Sequence, residues 1–342
     1  MTNVYALGLG VGHQNSHGHW LETYFALPVL TPQTSLANAF VNSLNANPDK
    51  GVYYPNIEQL DRLANLIKNE FPEQALLAHQ LKESRVPVVA VILYENSGPS
   101  NVPEAYLKLH LLSHRLVKPH ETNLVGIFDV LPNVAWTNKG PIDPAELPAR
   151  QLSARLSGEV ISVDSVDKFP KMTDYVVPPG VRIADTARVR LGAYLGRGTT
   201  IMHEGFVNFN AGTLGVSMVE GRISSGVVVG EGSDLGGGCS TMGTLSGGGN
   251  ITISVGEHSL IGANAGIGIP LGDRCTVESG LYITAGTKVA LLDDTNQLVS
   301  HVKARDLAGK SDLLFRRNSL TGAVECKTNK TAIALNSILH NN

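Results

Sequence analysis

The stretch VRIADTARVRLGAYLGRGTTIMHEGFV, residues 181–207, carries Ile183, Val189, Leu195, Ile201 and Val207 at a constant spacing of six. The spacing resumes at Val229 and Leu235, again at Val255, Ile261 and Ile267, and again at Leu271, Val277, Ile283 and Val289. A glycine follows the aliphatic residue at Gly196, Gly230, Gly236, Gly256, Gly262, Gly268 and Gly272. A period of six fits neither a helix nor a half-buried antiparallel strand, and a flexible linker would hold no period at all. It fits a solenoid in which each hexapeptide makes one short strand and one corner of a triangular coil. The aliphatic residue points inward and stacks on its equivalent in the next coil. Coils then join through parallel ladders about 4.8 Å apart, and no coil is stable alone. The glycines are expected to supply positive φ at the corners.

Two stretches, 208–218 (NFNAGTLGVSM) and 241–252 (TMGTLSGGGNIT), are read as breaks in phase. Insertions in a solenoid emerge on one face, often the binding face. The repeat begins near residue 178 and ends near 292. Beyond it, 313–327 (LLFRRNSLTGAVECK) reads as two strands joined by a turn at 319–322, and 330–340 as a short capping helix.

Residues 1–177 read as a mixed α/β domain. Helices are expected over 56–69, with Leu60, Leu63, Leu66 and Ile67 on one face, and from Pro72 through 84. The run VPVVAVIL at 87–94 reads as a buried strand, 103–117 and 144–157 as helices, and 124–137 as strand and turn. The fold class is therefore an α/β N-terminal domain (1–177), a left-handed parallel β-helix (178–292) and a short β-rich C-terminal extension (293–342).

Composition removes several functions. A net charge of -3 gives no basic footprint for nucleic acid. Cys239, Cys275 and Cys326 form no CxxC pair, which argues against a disulfide framework and a cysteine zinc site and fits a reducing compartment. The first 20 residues lack a basic start followed by an apolar run, and no apolar run is long enough for a membrane span, so cytoplasm is the expected location. Gly8, Gly10 and Gly12 miss the dinucleotide fingerprint, because the third glycine's place falls on His13 and the preceding strand is barely present. Gly247–Gly249 is followed by no Lys-Ser or Lys-Thr, so it is no phosphate loop. His203 and His258 lie in the repeat without a third histidine to complete a zinc trio.

Acyl transfer to an amine needs a proton acceptor, or a carboxylate that takes the acyl group itself as a mixed anhydride. It also needs a donor for the oxyanion, and a CoA thioester brings phosphates suited to Arg and Lys. Glu204 (HEGF) and Glu220 (MVEGRIS) border the interrupted region, each followed by Gly, with Arg222 two residues beyond Glu220. Lys303, Arg316 and Arg317 form a basic group in the tail.

The stretch 202–249, with GANAGIGIPLGD (262–273), ESGLYITAGTKV (278–289) and LLFRRNSLTGAVE (313–325), resembles the 2,3,4,5-tetrahydropyridine-2,6-dicarboxylate N-succinyltransferases, in particular the longer type of actinobacteria and pseudomonads. The close resemblance covers about 178–325. It implies transfer of succinyl from succinyl-CoA to the amino group of ring-opened substrate, 2-amino-6-oxopimelate, in the diaminopimelate route to lysine. It also implies a homotrimer with active sites between neighbouring subunits, succinyl-CoA as co-substrate and no required cofactor. Glu220 matches the family's catalytic carboxylate; anhydride formation and general-base catalysis both stay open. Arg222, Gly237, Ser240, Ala263, Glu278, Ser279, Gly286, Lys303, Arg316, Arg317, Asn318 and Ser319 match succinyl-CoA-binding positions. Some members share a magnesium ion between subunits through a Glu matching Glu204 and an Asp one coil earlier; here that position is Ala187, which weakens a hard-cation site. Other acyltransferases on this scaffold, a γ-type carbonic anhydrase and a non-catalytic β-helix subunit are the competing readings.

Overall fold

The computed structural model describes residues 4–48, 50–243 and 251–328. The expected helix at 330–340, and residues 244–250 of the stretch 241–252, lie outside the described residues. The chain divides into two compact units, one of residues 1–111 and 121–170, the other of 112–120 and 171–342.

The first unit is built on β1 (Ala6–Gln14), paired antiparallel with β2 (Trp20–Tyr24), β3 (Val29–Leu30) and, through Ala6↔Leu93 to Val11↔Val88, with the apolar strand that follows later in the chain. The glycine run at 8–12, which the sequence reading assigned to no element, lies within this central strand. It takes Gly because a Cβ at Gly8 or Gly10 would stand 2.8 Å from the Phe25 ring. Next come α1 (Thr34–Leu44), β4 (Val52–Tyr53), α2 (Ile57–Ile67), α3 (Pro72–Leu81) and β5 (Val88–Leu93). Asn56 caps α2 in a reciprocal box with Gln59, and Pro72 opens α3. Leu36, Phe40, Leu60, Leu63, Ile67 and Ala78 pack on Leu7, Leu9 and Ile92 of the sheet. Leu66, assigned to the same face from spacing, is 59% exposed; Ala64 takes the buried place. Helix α4 (Val102–Ser113) ends four residues before the expected 117, where Arg115 turns to φ 62°. The short α5 (Ile127–Val130) stands where strand and turn were expected. It is followed by β6 (Val134–Thr137), β7 (Gly140–Ile142), α6 (Leu147–Leu156) and β8 (Val163–Asp167), the strands forming a sheet ordered β7-β6-β8.

The second unit is the left-handed parallel β-helix. Its interior has three columns, set by parallel registers. One runs Ile183, Ile201, Val219, Leu235, Ile261, Val277 and Phe315. Another runs Val189, Val207, Ile223, Thr241, Ile267 and Ile283. A third runs Leu195, Thr213, Val229, Val255 and Leu271.

These registers correct the sequence reading at two points. Residues 208–218 do keep phase: Thr213 stands six after Val207 and Val219 six after Thr213. The signal was hidden because a polar residue occupies the column, its hydroxyl satisfied by Thr199 Oγ1 at 2.7 Å. The slip falls instead between Val219 and Ile223, a step of four residues. Second, the glycines after the aliphatic residues are not the positive-φ positions. Those lie two residues on, at Gly198, Gly232, Gly238, His258, Asn264 and Arg274. Gly196 and its equivalents are needed because a Cβ would strike the backbone of the next coil, as at Gly262, where it would stand 2.5 Å from Ser279 N.

The tail joins the solenoid. Leu313–Arg317 pairs in parallel with Thr276–Val277, so Phe315 continues the first column. It turns back through Val324–Thr328, which also lies beside Lys288–Leu292; that strand pairs with Leu298–Lys303 in a hairpin whose exposed second strand had no sequence signal.

Candidate functional site

One corner of the β-helix lies between the first and second columns. It is formed in successive coils by 202–205, 220–221, 236–239, 262–265 and 278–281, and is completed by 316–318 of the tail. Ladder bonds fix the sequence of layers: Met202 N donates to Val219 O, Glu220 N to Leu235 O, Gly236 N to Ile261 O, Gly262 N to Val277 O and Glu278 N to Phe315 O, all at 2.8–2.9 Å. Gly238 N then donates to Glu220 O, Asn264 N to Gly237 O and Gly280 N to Ala263 O. Glu204, Glu220, Gly237, Ala263, Glu278, Ser279 and Arg316–Asn318 are thus brought onto one edge, although they span more than 100 positions of the chain.

The step of four residues shapes this edge. The corners before and after it have four residues each, but Glu220 and Gly221 make theirs with two. Glu220 is half-buried at this shortened corner. Gly221 is required there because a Cβ would overlap the buried Cys239 sulfur. Burial pushes the Cys239 thiol up to about 12, so it stays protonated and is no nucleophile. The Glu220 carboxylate lies over Gly237, where an added Cβ would be 3.4 Å from Oε2. On the adjoining face Phe206, Arg222, Ser240, Gly266 and Tyr282 form an outward row, coil by coil. Arg222 Nε donates to Ser240 Oγ at 3.3 Å, and the rest of the exposed guanidinium is open to an anion.

The tail is fastened to this edge by carboxylates. Glu278 Oε2 accepts the Arg317 backbone N–H at 2.6 Å. Glu325, which the sequence reading did not single out, accepts from Asn318 Nδ2 at 2.7 Å and Arg316 Nε at 2.9 Å. The Asn318 hydrogen bond, helped by Arg316, holds its carboxyl below the usual range. Only the hairpin register, Arg316↔Glu325, reveals this residue, and spacing alone does not supply it. Ser319 stands exposed in the turn.

Two expected residues are elsewhere. Gly286 lies in the turn after Ile283, at the next corner around the coil. Lys303 is beside it, paired with Lys288, with Ala304 N donating to Thr287 O at 2.8 Å. His203 and His258 stand exposed on different corners, and the His258 ring covers Gly232. Glu204 is exposed, its carbonyl held by Arg188 Nη2 at 3.0 Å, and Ala187 offers no carboxylate. Among the described residues no group of three or more His, Cys, Asp or Glu is placed to hold a metal. Within one chain the residues therefore do not fit a magnesium site. Two cavities, of about 500 and 350 Å³, lie in the first unit and are lined by none of these residues.

Comparison with known proteins identifies the family. Family models match at residues 29–129 (tetrahydrodipicolinate N-succinyltransferase N-terminal), 131–171 (tetrahydrodipicolinate N-succinyltransferase middle) and 252–285 (hexapeptide repeat of succinyl-transferase). The chain is 65% identical over 338 residues to a 2,3,4,5-tetrahydropyridine-2,6-dicarboxylate N-succinyltransferase of Pseudomonas paraeruginosa, covering 99% of this chain and 98% of the relative. It is 58% identical over 339 residues to the Vibrio cholerae protein of the same name, with 99% of each covered. A solved structure from Campylobacter jejuni, described as a 2,3,4,5-tetrahydropyridine-2-carboxylate N-succinyltransferase, superposes with a TM-score of 0.90 at 34% identity, covering 97% of this chain and 94% of that one.

Proposed function

The chain belongs to the tetrahydrodipicolinate N-succinyltransferase family, and we propose that it transfers succinyl from succinyl-CoA to the amino group of 2-amino-6-oxopimelate at the corner centred on Glu220. The observation that carries this placement is the shortened corner itself. It sets one half-buried carboxylate between full corners and against Gly237, with Arg222 and Ser240 alongside.

The acceptor amine attacks the thioester carbonyl, the tetrahedral oxyanion collapses, and the CoA thiolate leaves and takes up a proton. Glu220 removes the amine proton as a general base; in the alternative route its carboxylate attacks the thioester first and expels the CoA thiolate, and the amine then attacks the mixed anhydride and releases the carboxylate. Its seat on Gly237 allows ligand and backbone to approach closely. Arg222 supplies a planar donor fork for a carboxylate or phosphate. Arg316 and Asn318, held by Glu325, and the neighbouring Arg317, Ser319, Ala263, Glu278 and Ser279 line the donor's path at the same edge. Gly286 and Lys303, one corner away, belong to the outer part of that path.

A homotrimer brings a neighbouring subunit to this edge, so that each active site is shared. No step is routed through magnesium, because Glu204 has no carboxylate partner at Ala187. No helix among the described residues is long and apolar enough to cross a membrane, and we place the enzyme in the cytoplasm, where its thioester donor is made.

The test is CoA thiol release from succinyl-CoA, with and without tetrahydrodipicolinate, beside acetyl-CoA. Release that depends on the acceptor and prefers succinyl supports the assignment. Release with neither donor, or with acetyl-CoA alone, refutes it.

A further inference from the structure

We propose that Glu325 is a positioning residue for succinyl-CoA, acting through Arg316 and Asn318. The inference rests on the reading of the tail as part of the donor site.

Glu325 is 7% exposed and stands directly opposite Arg316 across the antiparallel pair that ends the chain's last described hairpin. Its two oxygens are divided between two residues: Oε2 receives Arg316 Nε at 2.9 Å and Oε1 receives Asn318 Nδ2 at 2.7 Å. Bonding through Nε fixes the plane of the guanidinium and leaves its four other N–H donors for a ligand. Asn318 is fixed as firmly. Its Oδ1 accepts the backbone N–H groups of Leu320 at 3.0 Å and Thr321 at 3.1 Å, so its amide cannot be reversed and must present N–H to residue 325. Position 325 therefore needs a side chain with two acceptors and no donor, which an ionised carboxylate is and an amide is not. Asn318 also closes the turn, its N–H donating to Ala323 O and its carbonyl accepting from Gly322 N, each at 2.8 Å. One buried carboxylate thus orients both the charged fork and the turn that the tail offers to the donor. The tail is itself docked on the Glu220 edge through Arg317 N–H and Glu278. Pre-orientation of such donors lowers the ordering cost of binding rather than the barrier to chemistry.

The test is the steady-state kinetics of Glu325→Gln, Arg316→Ala and the double variant. Glu325→Gln is expected to raise KM for succinyl-CoA about tenfold, with kcat and KM for the acceptor within about twofold of the unchanged chain. Arg316→Ala raises the same KM, and adding Glu325→Gln to it raises KM by no more than about threefold further, since the Arg316 contact is already lost and only the Asn318 bond remains to be weakened. Glu325→Asp, which keeps the two acceptors one methylene shorter, gives an intermediate KM and stands in if the Gln variant fails to fold. If Arg316→Ala raises KM while neither variant at 325 changes it more than twofold, the positioning role is overturned and the donor site stands. If Arg316→Ala and Asn318→Ala also leave KM unchanged, the tail is no part of the donor site and both readings fall.

Discussion

The carboxylate of Glu220 faces Gly237 of the following coil, so that a Cβ added to Gly237 would stand 3.4 Å from Glu220 Oε2, an ordinary contact distance. That contact is made possible by the two residues missing from the Glu220 corner. No side chain projects from residue 237 to cover the carboxylate, and among the described residues Glu220 Oε2 is the one atom within 4 Å of a Cβ built there.

Gly237 has an ordinary backbone conformation, so Gly237→Ala leaves the fold intact. Its methyl occupies the space that a ligand needs beside the carboxylate. The expected outcome is an unchanged denaturation midpoint with kcat/KM lowered about tenfold or more. A larger residue, as in Gly237→Val, displaces Glu220 and lowers the rate further. A variant with full activity at position 237 would show that nothing approaches Glu220 from that side.

Gly196 tests the packing of coils rather than the site. A Cβ there would stand 2.5 Å from Gly215 N and 2.6 Å from Leu214 O of the next coil, backbone atoms held by the ladder. Gly196→Ala is expected to cost about 1–3 kcal/mol, measured as a lower denaturant midpoint of the protein. The corner residue Gly280, with φ 73° and no atom of the described residues within 4 Å of an added Cβ, should respond differently: Gly280→Asn is tolerated better than Gly280→Ala, since Asn enters the left-handed region at less cost.

The first unit carries a pH dependence. His13 Nδ1 lies 2.6 Å from Oε1 of the buried Glu22, and that hydrogen bond raises the His13 pKa above 6.5. A raised folded-state value means that the pair's contribution is complete below the ordinary imidazole value. It is lost as pH climbs through the higher folded value. The difference in thermal stability between the unchanged chain and His13→Gln should therefore be larger at about pH 5.5 than at about pH 8.5. An equal difference at both would show that the pair is not ionic.

Much of this was legible in the residues themselves. Aliphatics at six-residue spacing name the solenoid because nothing else stacks a side chain at that interval. The helix over 56–69 was readable from the spacing of Leu60, Leu63 and Ile67, while its capping pair, Asn56 and Gln59, emerged only from the structure. What stayed hidden was phase. Thr213 fills an aliphatic place through a hydroxyl pair that no one-dimensional pattern displays, so the slip was assigned to 208–218 and not to the Glu220 corner. The strand at Gly8–Gly12 was missed because its side-chain volume comes from Phe25 across the sheet. Glu204, Glu220 and Arg222 were visible as chemistry, and the resemblance supplied the donor-site positions. That most of them share one edge, while Gly286 and Lys303 do not, depends on coil register. Glu325 depends on a hairpin pairing nine residues apart.

The carboxylate at the shortened corner is proposed to do the chemistry. The most direct measurement is acceptor-dependent CoA release by Glu220→Gln, assayed beside the unchanged chain at saturating succinyl-CoA. The expected result is a loss of about 100-fold or more in kcat, with the denaturation midpoint unchanged. A rate within a few-fold of the unchanged chain would contradict it and move the site away from this corner.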